Sequence, residues 1–188
     1  MVKKMRIKQK VLLTNAIFIS TLLVSTQVLS EESFYGWLID FSRTKGVNTI
    51  SNELYEEECS ACHFPYQPGL LPSQSWEKLL KPKQLVNHFG DNAELDEDVR
   101  KKILVFAVDH AAEKSWYKRS RKIVASLNDN QFPIRITKTP YIKSKHEEIP
   151  TALIRDNDKI NSLSYCDNCH TKAKQGIYDN DSVDIPEK

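Results

Sequence analysis

Apolar residues recur along this chain at helical spacing, in short runs punctuated by proline and glycine. Phe34, Trp37, Leu38 and Phe41 stand at i, i+3, i+4 and i+7, which predicts an amphipathic helix that Gly46 breaks. Ser51 or Asn52 caps the next helix, which runs through Leu54 and Tyr55 into Cys59. Pro65, Pro68 and Gly69 make a loop, and Pro72-Ser73 opens a helix with Trp76, Leu79 and Leu80 on one face. Pro82 is expected to end it, and Gly90 to serve as a C-cap after Leu85 and Val86. The strongest pattern lies at 96–113, where Val99, Ile103, Phe106 and His110 form one stripe. Asn128-Asp129-Asn130 is a turn, and Ile134 and Ile136, with Val124, hint at an extended segment. Thr139-Pro140 starts a helix whose face carries Ile142, His146 and Ile149, until Pro150 stops it. Residues 159–165 lead into a second cysteine pair, and the polar tail at 176–188 is loop-like, anchored by Val183 and Ile185. The expected fold class is mainly α.

The first residues change the picture of charge. Lys3, Lys4, Arg6, Lys8 and Lys10 precede an apolar run at 11–24, with Val28-Leu29-Ser30 behind it. That arrangement reads as a secretory signal peptide, residues 1–30, with cleavage after Ser30. The apolar core is short and interrupted by Thr14 and Asn15, so stable membrane insertion is not expected. The whole chain carries 27 bases and 25 acids, a formal +2. Without the leader 22 bases face 25 acids, so a nucleic-acid partner is not expected. The remaining 158 residues suit one domain or two small ones. The turn at 128–130 divides them into an N-terminal unit, 31–128, and a C-terminal unit, 129–188. Within the first, 31–50 is an amphipathic extension. Few bases flank its aromatic stripe, which favours packing on the rest of the unit over a membrane surface.

The candidate chemistry sits in two pentapeptides, Cys59-Ser60-Ala61-Cys62-His63 and Cys166-Asp167-Asn168-Cys169-His170, which use all four cysteines. C-x-x-C-H is the form of a c-type haem attachment site. Two thiols at that spacing can each form a thioether to one porphyrin, and the adjacent histidine falls under the iron. A zinc ribbon, a redox dithiol or a structural disulfide does not require that histidine. Zinc-ribbon pairs also stand about 15–20 residues apart, whereas roughly a hundred residues separate these two. Two covalent haems are therefore expected, through Cys59 and Cys62 and through Cys166 and Cys169, with His63 and His170 as proximal ligands.

Three histidines remain for the opposite faces: His88, His110 and His146. The only methionines, Met1 and Met5, lie in the leader, which excludes methionine ligation in the processed chain. Each iron is thus either bis-histidine or open on one face. His88 follows His63 by 25 residues and His146 precedes His170 by 24, which makes them the distal candidates. His110 is the spare. The bases Lys114, Lys118, Arg119, Arg121 and Lys122 surround Trp116 and Tyr117. They read as a patch that offsets haem propionates or docks an acidic partner, or as a solvated face.

Several segments resemble the small dihaem cytochrome c family of bacterial periplasms. They are YEEECSACHFPYQPGLLPSQSW (55–76), NHFGDNAELD (87–96), KRSRKI (118–123), RITKTPYIKSKHEEIP (135–150), CDNCH and DNDSVDIP (179–186). The resemblance implies bis-histidine ligation of two haems, with His88 and His146 in the matching motifs and His110 non-ligating. It implies two haem domains, the first similar to class I cytochromes c. It also implies electron transfer with a membrane b-type cytochrome or a small oxygen-binding haem protein. The expected function is a periplasmic electron carrier and not an enzyme. The alternative is a haem enzyme or gas sensor with one open iron. N-terminal sequencing of the exported chain is expected to begin at Glu31, and a chain that still begins at Met1 removes the export reading.

Overall fold

The apolar stripes fold into short helices joined by tight turns. The computed structural model describes residues 46–188. The leader at 1–30 and the stripe from Phe34 to Phe41 lie outside the described residues, all of which fall in one compact unit. They form seven α-helices: α1 (Glu53–Cys59), α2 (Ser73–Leu79), α3 (Pro82–Leu85), α4 (Glu97–Asp109), α5 (Lys118–Ala125), α6 (Pro140–His146) and α7 (Thr151–Arg155). Among them there is no strand, only isolated bridges at His88–Asp91 and His170–Val183.

Three aromatic rings assemble the N-terminal half. Asn52 caps α1, its side-chain oxygen accepting from the Tyr55 N–H at 2.9 Å. Tyr55 packs its ring on Trp76 of α2 and Phe106 of α4, with centroids at 6.4 and 5.2 Å. Both polar tips are satisfied: Tyr55 donates to the Tyr66 carbonyl at 2.6 Å and Trp76 Nε1 to the Pro68 carbonyl at 2.9 Å. Arg100 closes the end of α2 by donating to the Leu80 carbonyl at 3.0 Å.

Several boundaries differ from the sequence reading. Helix α2 stops at Leu79, before Pro82, which instead occupies the first position of α3. There its missing N–H costs nothing. Gly90 caps no helix; it lies at φ +119° in a tight turn beside Phe89, itself at φ +60°. Helix α4 ends at Asp109 because the Ala112 N–H turns away to the Leu71 carbonyl at 2.9 Å. The basic stretch forms α5, burying Ser120 and Ile123, and Val124 belongs to it rather than to an extended segment. Ile136 is buried in a 3-10 turn, Ile136–Lys138. Thr139 does precede α6, but its hydroxyl donates backwards to the Ile136 carbonyl. Helix α6 stops at His146, short of Ile149, and Pro150 then opens α7.

The tail is fastened where expected and at one further point. Val183 pairs with His170 in a backbone bridge, and the Asp184 N–H donates to the Cys169 carbonyl at 2.8 Å, while the Val183 and Ile185 side chains stay 39% and 41% exposed. Asn157, almost fully buried, adds a hydrogen bond to the Pro186 carbonyl at 2.7 Å. The two ends of the described chain also cross: the Val47 N–H donates to the Gly176 carbonyl at 2.8 Å. Gly176 lies at φ +70°, and a Cβ there would stand 2.2 Å from the Val47 carbonyl oxygen. Gly176→Ala is expected to destabilise the fold by about 2–4 kcal/mol, combining left-handed strain and overpacking. Denaturant unfolding checks this, and a loss below about 0.5 kcal/mol, the range of ordinary surface changes, counts against it.

Candidate functional site

Each C-x-x-C-H motif opens onto its own cavity. The first motif begins where α1 ends, so Cys59 is fixed by the helix while Cys62 stands exposed beyond it. The His63 Nδ1–H donates to the Phe64 carbonyl at 2.8 Å. A carbonyl only accepts, so the proton sits on Nδ1 and the Nε2 lone pair is left for another partner. The His63 ring stacks on Tyr66 with centroids 4.6 Å apart. Across the cavity stands His88, its centroid 6.4 Å from that of His63 and its plane tilted by 24°.

A strained turn places His88. Its N–H donates to the Asp91 carbonyl at 2.7 Å, and the Gly90 N–H donates to the Asn87 side chain at 3.1 Å. The left-handed Phe89 is unusual for a bulky residue. Arg135 covers its ring at 3.8 Å and holds the turn against the second half of the chain.

The second motif lies in a 3-10 turn, Cys166–Asn168, and the His170 N–H returns to the Cys166 carbonyl at 2.8 Å. His146 comes off the last turn of α6 and donates through Nδ1 to the Ile142 carbonyl at 2.8 Å. Its ring faces His170 at 6.1 Å, with the planes at 75°. Tyr178 meets the His170 ring edge-on at 5.3 Å. Arg119 lies between the Tyr141 and Tyr178 rings, 5.9 and 5.7 Å from their centres, and donates to the Tyr178 carbonyl at 2.5 Å.

Electrostatics favours neutral imidazoles. Burial, then the neighbouring His63, holds His88 below the usual histidine range. Burial, then His146 and Arg119, lowers His170 to about 4. A neutral ring keeps a lone pair for a metal. Burial pushes the Cys59 and Cys166 thiols up to about 12 in the folded chain.

Both cavities fit a haem held between two imidazoles. An imidazole nitrogen binds a metal at about 2.0–2.1 Å and its ring centre lies about 1.1 Å further, so two rings sharing one ion stand about 6.3 Å apart. The observed 6.4 and 6.1 Å bracket that value. The cavities measure about 320 and 670 Å³. The first takes Cys59, Cys62, His63 and His88 among its walls, the second Cys166, Cys169, His170 and His146. His110 lines neither; its Nδ1–H donates to the Phe106 carbonyl at 2.8 Å. No three His, Cys, Asp or Glu among the described residues converge as an ion site, as a zinc protein would need.

The family described as dihaem cytochrome c matches residues 55–178. The chain belongs to the dihaem cytochrome c family. It is 37% identical to the diheme cytochrome type c of Shewanella baltica OS155, over 73% of this chain and 95% of that one, with a TM-score of 0.58. It is 36% identical to the diheme cytochrome c of Rhodobacter sphaeroides, over 71% of this chain and 99% of that one, with a TM-score of 0.60. Among curated proteins there is no match. As a dihaem cytochrome c, the protein carries two c-type haems.

The sequence marks none of Tyr66, Phe89 and Arg135, and it marks Arg119 only as one base of the five-base patch. Tyr66 lies in a proline-broken loop, where no periodicity picks it out. Tyr66 donates its hydroxyl to the Ser164 carbonyl. The two cavities also share a wall that includes Ile136, Thr137, Tyr165 and Cys166. A pyridine haemochrome assay on this dihaem cytochrome is expected to give two haems per chain. The double variant Cys166→Ala, Cys169→Ala is expected to give one; two haems in that variant would place attachment elsewhere.

Proposed function

We propose that the protein is a periplasmic electron carrier in which two histidines close each iron, His63 with His88 and His170 with His146. The spacing of the two ring pairs carries this reading. A bound haem supplies a one-electron couple whose potential depends on axial ligands and surroundings. His63 and His146 are oriented by their carbonyl acceptors on Nδ1, which leaves the Nε2 lone pair for the iron. The strained turn at Phe89 and Gly90 presents His88, and the 3-10 turn of the second motif presents His170. Histidine on both faces keeps the coordination constant between oxidation states, and lowers the potential relative to a histidine–methionine site. No side chain has to act as acid, base or nucleophile.

The leader supports export, and c-type attachment in bacteria takes place outside the cytoplasmic membrane. No helix among the described residues is long and apolar enough to cross a membrane. The proposed partners are a membrane b-type cytochrome or a small oxygen-binding haem protein, as the family resemblance implies. A division into a class I-like N-terminal haem domain, 31–128, and a C-terminal one, 129–188, belongs to the same proposal. The left-handed Asn130 at φ +63° supports a chain reversal there.

Absorption and EPR spectra test the ligation. Low-spin haem in both oxidation states is expected, without carbon monoxide binding to the reduced protein. His88→Ala and His146→Ala are each expected to turn half of the haem high-spin and open it to carbon monoxide, while His110→Ala leaves the spectra unchanged. High-spin haem in the unsubstituted protein sinks the bis-histidine reading and favours an open, gas-binding iron.

A further inference from the structure

Two carriers in one chain work as a relay only if something couples them, and one side chain touches both sites. Tyr66 stacks its ring on His63, centroid to centroid at 4.6 Å and with planes 28° apart. Its hydroxyl donates to the Ser164 carbonyl, 98 residues away in sequence. That carbonyl oxygen lies 3.8 Å from Cys166 Sγ, the first sulfur of the second motif. The contacts therefore run without a gap from a ligand candidate of one centre, across a ring stack and one hydrogen bond, to an attachment sulfur of the other.

Tyr66 is also fixed in that position. Its backbone carbonyl accepts from the Tyr55 hydroxyl at 2.6 Å, and Phe64 meets its ring edge-on at 4.9 Å. Tyr55 in turn is clamped by Trp76 and Phe106. The path is thus anchored, through Tyr55, in the buried core of the fold. Its far end is set by the backbone around Ser164, where the Ser164 N–H donates to the Ser162 hydroxyl at 3.1 Å.

We propose that Tyr66 is the bridge for electron transfer between the two centres. This rests on the ligation proposed above. Tunnelling falls off more slowly through bonds and hydrogen bonds than across empty space, so a ring stack joined to a hydrogen bond is a favoured route. One electron leaves the reduced centre and one arrives at the oxidised centre. Tyr66 itself is neither oxidised nor deprotonated, and its phenol proton stays on its own oxygen, donated to the Ser164 carbonyl throughout.

The test uses the holoprotein, reduced at one centre by a flash, with inter-haem electron exchange followed by absorption. Tyr66→Phe keeps the ring and deletes the hydrogen bond; it is expected to slow the exchange several-fold. Tyr66→Leu deletes the stack as well and is expected to slow it further. Low-spin EPR signals and both reduction potentials are expected to stay as in the unsubstituted protein for Tyr66→Phe, which a merely structural role would not combine with a slower exchange. Unchanged exchange in both variants overturns the bridge and assigns the coupling to the shared wall at Cys166. So does slowing that appears only together with shifted potentials. High-spin haem in the unsubstituted protein instead points to failure of the ligation reading.

Discussion

The fold depends on holding two pairs of imidazole rings about 6 Å apart, and no pair is held by a single helix. A ring contact at that distance is worth only about 0.5–1.5 kcal/mol and does not by itself fix where a ring nitrogen points. Each must be oriented from behind by its own backbone. His63 and His146 use a carbonyl acceptor on Nδ1, and His88 uses a turn that only a strained Phe89 and a glycine allow. Much of the remaining structure can be read as support for those four placements. Helix α1 carries Tyr55, and α2 and α4 clamp it, and through it the loop that carries His63 and Tyr66.

Chemistry was more legible in the sequence than shape. Five-residue motifs state their own geometry, since the cysteine spacing and the following histidine must suit one porphyrin. The apolar stripe through Ile103 and Phe106 announced α4 for the same local reason. What escaped notice depended on long-range partners. Pro82 reads as a stop when the residues after it are judged alone, yet it opens α3. Helix α5 places four bases in its first five positions, so its buried face, Ser120 and Ile123, is masked by the charge around it. Tyr66 carries no local signal at all, and nothing local sets Arg119 apart from the other bases of its patch, because their partners lie 98 and 59 positions away.

The two sites are also unlike in surroundings. Arg135, by stacking on Phe89, brings a residue of the second half to the N-terminal cavity. Arg119, which precedes the turn at 128–130, lies between two tyrosines beside the C-terminal one. Each cavity therefore has a cation stacked beside it, drawn from a segment distant in sequence from that cavity's C-x-x-C-H motif. The planes of the facing rings differ as well, nearly parallel for His63 and His88 and nearly perpendicular for His146 and His170. Under the proposed ligation, ring orientation governs how the iron d orbitals split, so the two centres need not be electronically equivalent.

The crossing of Val47 with Gly176 bears on the order in which the chain can mature. Gly176 comes only six residues after His170, so the contact forms after nearly all of the chain has been made. Gln67 and Tyr178, joined by a 2.6 Å hydrogen bond across 111 residues, impose the same delay. Contacts so distant in sequence form late, because the loop they close costs entropy before it returns any packing. Both cysteine pairs can thus remain within reach of an attachment machinery on a still-open chain, with closure of the two ends acting as the final step that seals them in.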